Sequence, residues 1–426
     1  MATTQNPLRE HPSREERAKI ISTIKKLVSR RHINVSNPNQ DYGSWVALVG
    51  EQMPRLLEVD RDAFEAGVGD LLSALGSSHT VFYHQRRDSV PAPYSINATL
   101  RPVNSVNGMR WMFVDVIEDG VASQAGIRPG EFLLSIDSKS TVPPKPANFR
   151  IGGNHKVEIA TFAGSKRQVA IQVPNRVAKD RPPMIEPRSF SHRVLPTDVG
   201  YLRVATFPGA VGQSFARGLD EAIRDLKRHG VQRLIVDIRG NIGGGLGSLR
   251  LMSYLCSGKV EIGYSLTRSR LRKGYRKENL TRIGKIPATK AELLMMALRF
   301  KVFQRDRSMV LVTEGLGPQP YHGRVVLLIN EHTHSAAEMV GSFAKENRLA
   351  TLVGTRTAGE VLGGANLKLP AGYVLRMPVA GWYTWQGDCI EGKGVEADVT
   401  VENSAETLAA GSDHQLDKAL ELVKTL

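Results

Sequence analysis

The stretch Val325-Val326-Leu327-Leu328-Ile329, followed by Asn330-Glu331-His332-Thr333-His334-Ser335-Ala336-Ala337-Glu338, decides the reading of this chain. The first five residues are aliphatic and partly β-branched, a buried strand rather than a half-exposed one. After Ser335 the period changes: Ala336, Ala337, Met339, Val340 and Phe343 recur at helical spacing. Ser335 therefore sits where a buried strand turns into a helix. At such a turn a side chain is presented at the carboxyl end of a sheet. The first N–H groups of the helix lack internal partners there, so the N–H of Ala336 is a candidate donor to an oxyanion. A serine in this place also suits a plain helix N-cap. The stretch alone leaves both readings open.

The chain has 426 residues, enough for two or three domains with a sizeable core. Its two cysteines, Cys256 and Cys389, make neither a disulfide framework nor a metal pattern. The amino-terminal stretch has no basic region followed by an apolar core, and no apolar run is long enough to span a membrane. A cytoplasmic location is the resulting expectation. The net charge of +15 is unevenly placed, because residues 266–307 are crowded with arginine and lysine. This segment is expected to be a solvated surface insertion. Its sparse aromatics (Tyr275, Phe300, Phe303) give nucleic-acid binding little support.

Taken in order, residues 1–12 read as a loose tail and residues 13–88 as a small helical domain. Ser13-Arg14-Glu15-Glu16 offers a capping-box start, and Gly76 is a helix stop before Ser77-Ser78-His79-Thr80. Residues 94–173 form a second unit. Its strand Trp111–Ile117 is followed by Gly120-Val121-Ala122-Ser123-Gln124-Ala125-Gly126-Ile127 and Arg128-Pro129-Gly130-Glu131-Phe132-Leu133-Leu134-Ser135-Ile136-Asp137. This pattern resembles a PDZ domain, although Glu131 and Asp137-Ser138 depart from its commoner residues. PDZ domains take up an extended peptide as an added strand, and the resemblance implies a carboxylate-binding loop at Ser95, Ile96, Asn97 and Ala98. Residues 174–198 are rich in proline and charge and read as a linker.

A core, residues 199–426, then opens with a strand, a helix and a second strand, Leu234-Ile235-Val236-Asp237-Ile238, implying a parallel crossover. Arg239-Gly240-Asn241-Ile242-Gly243-Gly244-Gly245 follows directly. Four glycines let a backbone approach a ligand and turn N–H groups inward. No Gly-Lys-Ser/Thr follows, so an oxyanion hole fits better than a nucleotide cradle. The alternative is a tight turn.

Together the pieces resemble the C-terminal processing (tail-specific) peptidases, and among them the tricorn-like branch. The resemblance covers nearly the whole chain and rests on Asp237–Gly244, the Ser335 turn, Gly354-Thr355-Arg356-Thr357-Ala358-Gly359 and Gly394-Val395-Glu396-Ala397-Asp398. It implies a multidomain α/β protein: a helical segment, a PDZ domain and a ClpP/crotonase-like core with a mixed sheet. Tail-specific members pair their serine with a lysine after the Gly-x-x-Thr-x-Gly element. Here Glu360 stands at that position and Gly364 replaces the accompanying glutamine, with Lys393 the nearest substitute lysine. Tricorn-like members use a Gly-x-Ser-His-Thr element and a later glutamate, which Gly76–Thr80 and Glu391 match.

The implied machinery is Ser335 as nucleophile, His79 as general base and acid, Ser78 and Glu391 behind the imidazole, and Gly243, Gly244 and Ala336 as oxyanion donors. His84, His322, His332 and His334 compete with His79 for this role, and His332 and His334, as near neighbours of Ser335 in sequence, are taken as structural or supporting. The expected activity is serine endopeptidase action on unstructured or C-terminally exposed polypeptides, gated or presented by the PDZ unit. No cofactor or metal is implied, and a homo-oligomer is left open. The competing readings are a catalytically inactive peptide-binding scaffold and, on the same core fold, crotonase-type acyl-CoA chemistry.

Overall fold

The computed structural model describes residues 12–35, 41–106, 108–176, 184–196, 198–302, 308–318, 321 and 324–426. Most of the expected tail, part of the linker, the end of the basic segment and His322 lie outside them.

Three helices open the chain, Arg14–Arg31, Gly43–Glu58 and Arg61–Ser73. Ser13 and Glu16 cap the first reciprocally: the Glu16 N–H donates to Ser13 Oγ at 3.2 Å and the Ser13 N–H to Glu16 Oε2 at 2.8 Å. Ile20, Ile24, Val28, Trp45, Phe64, Val68 and Leu72 form their common core. That core also takes in Phe82, Tyr373, Leu375 and Met377. The reason is a strand, Val81–His84, that pairs antiparallel with Tyr373–Thr384 near the other end of the chain. The helices are thus anchored to the carboxyl-terminal segment. They share its core, and the Ser78-His79 loop is carried into it.

The second unit is an antiparallel sheet in the order Ala98–Ser105, Gly108–Val116, Phe132–Ile136, Asn154–Ala160, Lys166–Gln172. Period-two burial in Asn154–Ala160 turns Val157 and Ile159 onto Phe113, Leu133 and Phe149.

The core is a layered α/β structure. One sheet runs Phe190–Leu195, Val199–Val204, Arg233–Asp237, Val325–Ile329, Thr351–Gly354, Val399–Thr400, parallel except for its first pair. Every residue of Val325–Ile329 is fully buried, because both faces are covered. Leu202, Val236 and Leu327 meet the helices Gln213–Arg228, Gly247–Leu255 and Ala336–Glu346, whereas Tyr201, Ile235 and Leu328 meet the terminal helix His414–Val423. A second sheet runs Val81–His84, Tyr373–Thr384, Glu261–Thr267, Met309–Val312, Thr281–Ile283, with Gly363–Lys368 beside Tyr373–Thr384.

The basic segment is not a simple surface insertion. Leu266, Leu280, Ile283 and Ile286 are buried, and Thr281–Ile283 extends the second sheet. Among the described residues, Arg272, Lys273, Arg276, Arg282, Lys285 and Lys290 of this woven-in element are exposed and keep their heads in water. The helix Lys290–Val302 leaves Leu294, Met295 and Leu298 exposed. No helix among the described residues is long and apolar enough to cross a membrane.

Candidate active site

Ser335 lies at the carboxyl end of the Val325–Ile329 strand with φ 54° and ψ −119°. An ordinary N-cap is extended, so this backbone is that of a strained turn, worth about 1–3 kcal/mol of cost for a residue with a Cβ. The strain is held by Glu338, fully buried one turn into the helix. Its Oε2 accepts the N–H of Ser335 at 3.1 Å and of Glu360 at 2.8 Å. Its Oε1 accepts the Thr357 hydroxyl at 2.6 Å and the Gly359 N–H at 2.7 Å. Burial pushes this carboxyl upward and the four donors oppose that. The Ser335 N–H also donates to the Glu360 carbonyl at 3.0 Å. One carboxylate therefore ties the serine turn to the Gly354–Gly359 loop.

The glycine loop packs directly on this turn. A Cβ on Gly243, at φ 85°, would stand 2.6 Å from Ser335 Cβ and 3.0 Å from the Ala336 nitrogen. The Gly243 N–H donates to Asn241 Oδ1 at 2.8 Å, so it is already engaged. Among the described residues no protein acceptor is found for the N–H of Gly244 or of Ala336. Gly243 packs against Ser335 by lacking a side chain.

Upstream, burial alone would raise Asp237, but Arg203 and Arg239 hold it well below the usual carboxylate range. Arg239 spans Asp237 at 2.7 Å and Asp413 at 2.8 Å, fixing the start of the loop. Asn330 fixes its middle: Oδ1 accepts the Gly240 N–H at 3.0 Å, and Nδ2 donates to both carboxylate oxygens of Asp115 at 3.0 Å. Asp115 belongs to the second unit, which thus touches the loop that faces Ser335.

His79 arrives on the loop after the third helix, with φ 59°. Its Nδ1 is 2.8 Å from Ser78 Oγ. Glu391 accepts the Ser78 N–H at 3.3 Å and the Val361 N–H at 2.8 Å. Burial raises the Glu391 carboxyl against these bonds. His79 is brought down to about 4, first by burial and then by the Arg376 guanidinium, with Glu360 opposing and His334 adding to the fall. The imidazole and Ser335 are not hydrogen-bonded to each other here. They share one wall, because Glu360 holds the Ser335 N–H, Val361 holds Glu391, and Gly364 lies against His79.

A Cβ on Gly364 would meet Arg376 Nε at 3.3 Å and His79 Cβ at 3.6 Å. A longer side chain there would compete with His79 for its place. Glu360 is half-exposed and its Oε2 lies 3.3 Å from His334 Nδ1. Lys393 is exposed. Neither supplies a buried lysine for the serine.

His332 and His334 lie beside Glu331 and Glu360 respectively. His84 Nε2 lies 3.1 Å from the Ala371 carbonyl. Sequence reading passed over His32, which is fully buried with Nδ1 2.7 Å from Tyr42 Oη and Nε2 2.8 Å from Ser77 Oγ. It braces the loop that carries His79.

The residues expected to form the peptide-carboxylate loop lie beneath a segment of the chain itself. Ser95, Ile96, Asn97 and Ala98 are all buried. Asn97 Nδ2 donates to the Ile185 carbonyl at 2.8 Å, and the Ile185 N–H donates to the Tyr94 carbonyl at 2.7 Å. A segment of the chain's own linker covers this loop and uses its polar groups. No cluster of metal-ligating side chains occurs among the described residues.

Residues 198–401 match the sequence profile of peptidase family S41. The chain is 27% identical over 407 residues to tricorn protease homolog 2 of Streptomyces coelicolor, covering 90% of this chain and 30% of that protein. It is 24% identical to a carboxy-terminal-processing protease of Bartonella bacilliformis, covering 72% of this chain and 62% of the other. It thus spans from under a third to just over three fifths of these relatives. Among solved structures, a photosystem II D1 C-terminal processing protease shares the fold, with TM-score 0.56 and 17% identity over 97% of this chain and 99% of that one.

Proposed function

We propose that this chain, whose residues 198–401 match peptidase family S41, is a serine endopeptidase acting on unstructured polypeptides. The observation that carries the proposal is the turn itself. Ser335 is held in a strained conformation against a glycine whose Cβ would collide with it, an arrangement with a use in exposing a nucleophile and none in ordinary capping.

In the reaction Ser335 Oγ attacks the scissile carbonyl as His79 takes its proton. The N–H groups of Gly244 and Ala336 receive the oxyanion, each donor of this kind being worth roughly 3 kcal/mol of barrier. His79 then passes the proton to the leaving amine, and a water repeats the sequence to free the acyl group. Ser78 steadies Nδ1, and Glu391 steadies Ser78. The second unit, PDZ-like in its pattern, contributes through Asp115 and Asn330 to the glycine loop. Capture of a peptide by the Ile185-covered loop is not part of the proposal.

The test is digestion of casein by the parent and by Ser335→Ala, read by mass spectrometry. Cutting by the parent alone supports the proposal. Equal cutting by both overturns Ser335 as nucleophile. No cutting by either favours the second reading, a binding scaffold, for which the unmade His79–Ser335 bond is the supporting observation.

A further inference from the structure

Arg376 is a charged group beside the proposed base that the mechanism leaves unused. It projects from the Tyr373–Thr384 strand, opposite Val81 on one side and Asn366 on the other. Its guanidinium lies over Gly364, on the same patch of backbone that His79 Cβ approaches. The residue is half-buried and, among the described residues, its guanidinium makes no hydrogen bond or ion pair. The acidic groups nearby are engaged elsewhere: Glu360 is turned to His334, and Glu391 holds Ser78 and Val361. A second guanidinium, Arg176, lies along the same edge, donating to the Gln85 carbonyl at 3.0 Å.

A half-buried cation without a counter-charge is costly. It is doubly so beside an imidazole that must become a cation during the reaction. A site built this way is incomplete until an anion enters. A planar guanidinium selects a carboxylate, which it can grip with two parallel bonds.

We infer that Arg376 forms a carboxylate-binding subsite beside His79, receiving an acidic side chain or the terminal carboxylate of the polypeptide on its leaving-group side. The inference rests on the peptidase reading above. The leaving-group side follows from the role of His79, which hands its proton to the departing amine. Occupancy has a second effect. The bound carboxylate cancels the positive field of Arg376 on the imidazole and makes His79 a better base. Binding of the right substrate thus supplies the basicity that the empty site withholds. Glu360 and His334 also face the imidazole, with opposite signs, and remain in both states.

The experiment uses the full chain and fluorogenic peptides of one sequence, in four forms. One is neutral and amidated, one has glutamate after the scissile bond, one has a free terminal carboxylate, and one has both. The parent is expected to favour a carboxylate-bearing form over the neutral one on the order of 10- to 100-fold in kcat/KM. The two singly charged forms tell a side-chain carboxylate from a terminal one. Arg376→Gln should bring the ratio toward one. It should also move the acid limb of kcat/KM for the neutral peptide to higher pH, since removing a positive charge stabilises the imidazolium. Arg376→Lys should retain the limb and lose most of the ratio. Labelling of Ser335 by a fluorophosphonate establishes that each variant is folded.

A parent without preference, or an Arg376→Gln ratio equal to the parent's, overturns the subsite. Cutting by Ser335→Ala at the parent's rate overturns Ser335 as the nucleophile of the proposed mechanism instead.

Discussion

Replacing Glu338 by glutamine tests whether the serine turn is held by one buried charge. The carboxylate accepts four donors, and glutamine offers one carbonyl oxygen and an amide nitrogen. With the carbonyl turned to Ser335 and Glu360, the amide can donate to the Thr357 hydroxyl. The Gly359 N–H, now 2.7 Å from the carboxylate, would then face another donor. The opposite flip orphans the Glu360 N–H instead, since the Ser335 N–H keeps the Glu360 carbonyl at 3.0 Å. One orphaned buried N–H costs about 1–3 kcal/mol. Losing the charge relieves the burial penalty that pushes Glu338 upward, so the net loss should fall in the lower part of that range. Activity should fall further than stability, roughly 10- to 100-fold in kcat, because Gly359 leads into the segment that lies against His79 and small displacements are expensive there. Glu338→Ala, which removes the carboxylate from all four donors and leaves only the Ser335 N–H with a second acceptor, should be the more damaged variant. The assay pairs denaturant unfolding with peptide hydrolysis at matched labelling of Ser335. A glutamine variant with the parent's unfolding midpoint and kcat would refute the reasoning.

Two further substitutions probe the packing around the nucleophile. Gly243→Ala places a methyl 2.6 Å from Ser335 Cβ at a φ of 85°, and is expected to reduce kcat by at least about 100-fold; near-parental hydrolysis would show that the glycine loop does not face the reacting carbonyl. Gly364→Gln installs the residue of the lysine-type relatives where His79 and Arg376 meet. It should displace the imidazole and lower kcat about as much as loss of a general base does, 10²- to 10⁴-fold, while leaving the unfolding midpoint much closer to the parent's than Glu338→Ala does. Unchanged kcat would remove His79 from the mechanism.

The strand and helix around Ser335 were legible because a strand buried on both faces reads as an unbroken aliphatic run and a helix repeats near every third or fourth residue. The glycine loop was legible because close backbone approach excludes a Cβ. The Ser335-x-x-Glu338 spacing is visible too, as a capping-box pattern. Its larger part, joining Thr357, Gly359 and Glu360 from another loop, is not. The engagement of the Gly243 N–H by Asn241 through a local turn is likewise a matter of three-dimensional geometry.

What the sequence by itself determined is the order of local elements and the chemistry each motif carries. Local periodicity and backbone sterics act between near neighbours and leave their mark in composition. The tertiary structure alone decided how distant pieces meet. Val81–His84 pairs with Tyr373–Thr384, which brings His79 to a wall shared with Ser335. Ile185 covers the loop that resemblance assigned to a peptide. Arg376 is left beside the imidazole without a counter-charge. Each of these depends on burial and charge pairing between residues tens to hundreds of positions apart, and the energy of such a contact is set by its surroundings rather than by the residues' names.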